Sequence, residues 1–133
     1  MPENLTGAEY LDLVRRLQPF YDPSLATQLA DILAIKPDLV RLIAEYSHGM
    51  KRKIQLIAAL SHRPDLLILD EPYRGLDPAA HACLRMIIET FTAQGGSVLV
   101  ATHDLAAAEG YCHSVVIMAG GKMVATGDSS VWP

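Results

Sequence analysis

Cysteine is almost missing from this sequence: Cys83 and Cys112 are the only two in 133 residues. Two thiols without metal-type spacing offer neither a disulfide framework nor a zinc site, and they read as the reduced thiols of a cytosolic protein. His81 and His113 stand close to them in sequence, but the spacing of these four disfavours zinc. No apolar run approaches the roughly 18 residues of a membrane span, and the start "MPENLTGAEY" has neither the basic nor the apolar region of a signal peptide. Positive charge is in deficit. The net charge is −4 and the pI near 5.6, whereas a nucleic-acid footprint is usually basic. The one basic cluster, Lys51-Arg52-Lys53, spreads around a helix and reads as a solvated face. Internal repeats and low-complexity stretches are absent as well.

What the chain does have is apolar side chains, half of the total, enough for the core of one domain. Thr6-Gly7-Ala8-Glu9 has capping-box spacing and predicts a helix from about Gly7, with Tyr10, Leu11, Val14 and Leu17 on one face and Pro19 beyond its end. Asp22-Pro23 is a cap followed by proline, and Leu25, Leu29, Ile32 and Leu33 make the stripe of a second helix that ends at Lys36-Pro37. Residues 38–45 predict a third short helical segment. Ser47 is another cap, ahead of Met50, Ile54, Ile57 and Leu60 on one helix face. After Pro64 comes an apolar run, 66–69, of the kind found in strands buried on both faces of a parallel sheet. Asp77-Pro78 starts a long helix carrying Cys83, Leu84, Ile87, Ile88 and Phe91, stopped by Gly95-Gly96. Residues 97–101 predict a second buried strand and 104–110 a short helix. Residues 115–118 and 123–126 predict two strands joined across Gly120-Gly121.

The stretch "LLILDEPYRGLDP" (66–78) carries the chemistry. Ligands of parallel sheets sit outside the carboxyl ends of the strands, where this run places Asp70 and Glu71. Adjacent carboxylates repel. A hard cation such as Mg2+, held by one or two carboxylates plus phosphates, suits Asp70, and Glu71 is then left to orient or deprotonate a water. A solvated strand end followed by a turn has the same appearance. Two further features stand in order around it. Ser47 begins a helix whose free N–H groups favour an anion, and His103 ends the next strand.

Taken together, "YSHGMKRKIQLIAALSHRPDLLILDEPYRGLDP" resembles the signature helix, Walker B strand and D-loop of an ABC transporter ATPase. "LVATHD" resembles the switch-histidine segment of that family. The resemblance runs over about residues 42 to 127. It implies an α/β fold: an incomplete P-loop NTPase-type domain in which a helical subdomain, residues 1–62, precedes a partial, mostly parallel sheet with a C-terminal hairpin, residues 63–133. It implies contacts from Ser47 and Gly49, with His48 and Met50 beside them in the signature, to the γ-phosphate of ATP on a partner subunit. Asp70 would hold Mg2+, Glu71 would polarise the attacking water, His103 would hydrogen-bond the γ-phosphate, and Asp77 would sit on a dimer interface. The usual signature reads L-S-G-G-Q. Here His48 replaces a glycine and Met50 the glutamine, a variant similar to those of bacterial exporter ATPases with separate permeases. Tyr73 and Arg74 occupy a turn where Thr or Ser is common.

One element of the family is not in these residues. A P-loop reads G-x-x-x-x-G-K-[ST]. The only Gly-Lys pair is Gly121-Lys122, where the position of the first glycine is Val116 and the residue after the lysine is Met123. The expectation is therefore a chain that begins just inside the helical subdomain, with strands 97–101 and 114–118 left unpaired because the Walker A strand lies between them in the family. Two functions follow. One is the ATP-binding, ATP-hydrolysing subunit of an exporter, working with ATP and Mg2+, a second ATPase subunit and a transmembrane permease on the inner face of the cell membrane, and inactive without a P-loop. The alternative is a non-catalytic partner supplying its signature in trans to a complete ATPase. A DNA-repair or chromosome-organising ATPase is disfavoured, since nothing basic or coiled-coil-like is present.

Overall fold

A computed structural model describes residues 1–104, 106, 108 and 112–128. The helices start where the caps predict. Thr6 and Glu9 close a reciprocal capping box, with Glu9 N–H donating to Thr6 Oγ1 at 3.2 Å and Thr6 N–H to Glu9 Oε2 at 3.1 Å, and α1 runs Gly7–Leu17. Asp22 Oδ1 accepts from Leu25 N–H at 3.0 Å to start α2, Pro23–Ile32. The third segment predicted over 38–45 is two 3-10 turns instead, Lys36–Val40 and Ile43–Glu45. Arg41 and Leu42 break it because both are extended: Leu42 bridges to Thr6, and Arg41 carbonyl accepts from Gly7 N–H at 3.2 Å. Helix α3 spans His48–Ser61 and α4 spans Pro78–Ala93.

The strands are β1, Leu66–Asp70; β2, Ser97–Ala101; β3, Ser114–Ala119; and β4, Lys122–Asp128. β1 and β2 pair in parallel, Leu66 opposite Ser97 and Asp70 opposite Ala101. β3 and β4 form an antiparallel hairpin turned by Gly120 and Gly121, both at positive φ. They are two separate sheets among the described residues. β2 therefore does not bond to β3, as the sequence led us to expect. The helix expected over 104–110 lies largely outside the described residues.

One cluster of buried side chains joins α1, α2 and α3 to the first strand and α4, through Leu11, Leu29, Ile54, Ile57, Leu67 and Leu84. The expectation of strands buried on both faces fails. Leu67 is 3% exposed, but Leu66, Ile68 and Leu99 are 52%, 66% and 58% exposed. The helices cover one face of the β1–β2 pair, and among the described residues nothing covers the other. Two helices end on non-glycine residues in the left-handed region, Ala34 at φ 55 after α2 and Arg63 at φ 51 after α3. At the first of these, Ile35 N–H still reaches back to Ala30 carbonyl at 3.0 Å, which is the Schellman closure. Among the described residues no helix is long and apolar enough to cross a membrane.

Candidate functional site

Parallel pairing sets the exits of β1 and β2 side by side. Glu71 N–H continues the ladder to Ala101 carbonyl at 2.8 Å. Its backbone then turns into the left-handed region, φ 46, which costs a residue with a Cβ of order 1–3 kcal/mol. The carboxylate is held on both oxygens. Oε1 accepts from His103 N–H at 2.9 Å and from the His103 ring Nδ1, and Oε2 accepts from Thr102 Oγ1 at 3.0 Å. Burial pushes the Glu71 carboxyl up, but the bonds from the His103 N–H, the Thr102 hydroxyl and the His103 ring outweigh it and hold it below the usual glutamate value. The Glu71 side chain is 22% exposed and that of His103 83%, so the ring is open to a further partner. With Nδ1 on Glu71, its other nitrogen, Nε2, is the one left for that partner.

The N-terminus of α3 is packed against the turn leaving β1. Ser47 Oγ accepts from Met50 N–H at 3.2 Å, so the serine caps its own helix, and the N–H groups of the first turn lie beyond intrahelical pairing. His48 and Gly49 meet Gly75. A Cβ on Gly75, whose φ is 78, would fall 2.8 Å from His48 Cδ2, and one on Gly49 would fall 3.3 Å from Gly75 carbonyl oxygen. Arg52, one turn further along α3, donates from Nη1 to Asp70 carbonyl at 2.9 Å and from Nε to His48 Nε2 at 3.4 Å. The basic cluster is thus not the solvated face that its spacing suggested. All three residues are half-buried, and Lys51 pairs with Glu3. Tyr73 lies against the His81 ring, centroids 4.3 Å apart.

Of the residues singled out in the sequence, Glu71 and His103 touch directly, and His48 and Gly49, next to Ser47 in the chain, sit against Gly75 in the turn that begins at Glu71. Met50 is half-buried and packs on the core. Asp77 caps α4, its Oδ1 accepting from Ala80 N–H at 2.7 Å. Asp70 is exposed at the end of β1, with its carbonyl rather than its carboxylate bonded to Arg52. Its carboxylate suits a hard cation that takes one protein ligand with phosphates and water. No group of three or more metal-binding side chains occurs among the described residues. Sequence reasoning read Arg52 as part of a solvated face and gave Thr102 no role. The position of Thr102, at the end of β2 next to His103, was the available signal.

Residues 22–109 match the family model described as "AAA domain, putative AbiEii toxin, Type IV TA system". The ABC-type transporter ATP-binding protein EcsA of Bacillus subtilis is 35% identical over 131 residues, covering 96% of this chain and 53% of that protein. A fluoroquinolones export ATP-binding protein of Mycobacterium tuberculosis is 34% identical over 125 residues, 92% of this chain and 40% of that one. A solved ATP-binding subunit of an ABC transporter superposes with a TM-score of 0.87 at 33% identity, over 96% of this chain and 55% of that one. The chain belongs to the ABC ATPase family. A second solved ABC-transporter cassette, in its ADP conformation, has a TM-score of 0.73 at 21% identity and supports the fold alone. The α/β architecture is accordingly that of the P-loop NTPase fold, and the chain spans about half the length of the curated relatives it matches.

Proposed function

We propose that this ABC ATPase chain carries the hydrolytic side of an exporter's nucleotide site and acts together with a segment that bears a P-loop. The observation that carries the reading is the Glu71 carboxylate, fixed by Thr102 and His103 at the exits of two parallel strands. Residues 1–62 serve as the helical subdomain and 63–133 as part of the ATPase core. ATP is the substrate, and Mg2+, when bound, offsets the charge of its phosphates at Asp70. Glu71 takes a proton from a water, the water oxygen bonds to the γ-phosphorus, and the bond from that phosphorus to the bridging oxygen of ADP breaks. His103, in the form protonated on both ring nitrogens, keeps Nδ1 on Glu71 and donates from Nε2 to a γ-phosphate oxygen, where charge is spread in the transition state. Ser47, His48, Gly49 and Met50 form the anion-binding end of α3, which acts on ATP held by a second ATPase subunit, and Asp77 lies at that dimer interface. The dimer docks on a transmembrane permease at the cytoplasmic face of the membrane. Because no P-loop motif occurs in these 133 residues, a non-catalytic role, offering Ser47 in trans to a complete ATPase, is the second reading.

Glu71→Gln separates the two. In an assembly of this chain with a P-loop-bearing segment, the substitution leaves ATP binding intact and slows turnover by about 100-fold or more, the scale of lost general-base catalysis. Unchanged turnover would remove Glu71 as the base and favour the role in trans.

A further inference from the structure

The Glu71 carboxylate accepts three hydrogen bonds among the described residues, two on Oε1 and one on Oε2. A carboxylate has room for about four. The remaining acceptor direction is on Oε2, the oxygen bonded to Thr102. The Thr102 hydroxyl is itself constrained from both sides: Asp104 N–H donates to Oγ1 at 3.0 Å while Oγ1 donates to Glu71 Oε2 at 3.0 Å. A hydroxyl has one proton, so accepting from the amide leaves that proton for the carboxylate. The same turn is closed by Ala106 N–H on Asp104 Oδ1 at 3.0 Å. The Thr102 side chain is half-buried, which limits competition from water.

We infer that Thr102 is a positioning residue for Glu71: its hydroxyl, aimed by the Asp104 N–H, orients Oε2, the carboxylate oxygen that meets the attacking water. His103 fixes the opposite oxygen, so the carboxylate cannot rotate about its last bond without losing two or more hydrogen bonds. Glu71 at φ 46 brings the side chain across to β2, and Thr102 and His103 hold it there. The inference rests on Glu71 being the base, and its test is built so that the two can fail separately.

The test uses Thr102→Val, which keeps the shape and removes the hydroxyl, Thr102→Ala as a second deletion, and Thr102→Ser, which keeps the hydroxyl. Amide signals of His103 and Asp104 are followed by NMR in the 133-residue chain. In the Val and Ala variants the Asp104 amide exchanges faster, having lost its acceptor, and the His103 amide moves as Glu71 reorients; Ser restores both. In the assembly with a P-loop-bearing segment, Val lowers kcat about tenfold, the scale of one hydrogen bond to a charged group, with KM for ATP unchanged, and Ser recovers it. A His103 amide that does not move in either deletion, or a Ser variant that behaves like Val, overturns the role of Thr102. Amides that respond while Glu71→Gln turns over normally leave the hydrogen-bond assignment standing and refute Glu71 as the base.

Discussion

Gly7→Ala puts local propensity and packing in direct opposition. Gly7 is the first residue of α1, and alanine is the better helix former there by up to about 1 kcal/mol. By that measure the variant is more stable. The tertiary structure reverses the sign. A Cβ on Gly7 would stand 2.2 Å from Tyr46 Oη, 3.0 Å from Ile54 Cδ1 and 3.1 Å from Leu39 Cδ2. Ile54 is fully buried and cannot retreat. Tyr46 can move only by giving up the 2.7 Å bond from its hydroxyl to Asp38 carbonyl. Overpacking costs about 1–3 kcal/mol and the lost hydrogen bond about 1 kcal/mol more, so after the helix gain the net is a destabilisation of roughly 1–3 kcal/mol. Urea unfolding followed by far-UV circular dichroism reads it. At an m value of about 2 kcal/mol/M, the midpoint falls by roughly 0.5–1.5 M with m unchanged. Tyr46→Phe removes the atom met at 2.2 Å, so Gly7→Ala costs less in that background than in the wild type. A Gly7→Ala chain as stable as the wild type, or two additive substitutions, would refute the packing argument.

Asp22 is held below the usual aspartate value by the Leu25 N–H and then by Arg63. Its folded pKa is depressed, so its contribution is present above the unfolded value and lost as pH falls through the folded one. Asp22→Asn keeps the cap and loses the charge. Its urea midpoint should therefore lie below that of the wild type at neutral pH and converge on it as pH falls below the usual aspartate range, and a difference that stays constant with pH would argue against the assignment. Leu99 is 58% exposed on β2, whose second edge has no strand beside it among the described residues. A charge on such an edge opposes edge-to-edge association, so Leu99→Lys lowers light scattering of the concentrated chain without changing its helix signal; undiminished aggregation would show that another surface drives it.

Much of the helical half could be read from the sequence, because its signals are local. Thr6-x-x-Glu9, Asp22-Pro23, Ser47 and Asp77-Pro78 each satisfy N–H groups within three residues of themselves, and each starts its helix at the expected place. The turns at Gly95 and Gly120-Gly121 are local for the same reason: all three glycines adopt positive φ. The order of Ser47, Asp70, Glu71 and His103 was legible too, since a short apolar run followed by carboxylates marks a strand exit whatever surrounds it.

Tertiary structure decided the rest. The apolar run of β1 has one buried face rather than two, because burial depends on which layers cover a strand and not on the run itself. The segment at 38–45 became two tight turns, because its middle residues bond to the entry of α1, more than thirty residues away in sequence. Lys51-Arg52-Lys53 looked solvated because a helix wheel carries no information about a neighbouring strand end; only the packing of α3 on β1 brings Arg52 to Asp70 carbonyl. Thr102 came to Glu71 in the same way. The two are 31 residues apart, and only parallel pairing, which aligns the exits of β1 and β2, places a hydroxyl from one strand on the carboxylate of the other.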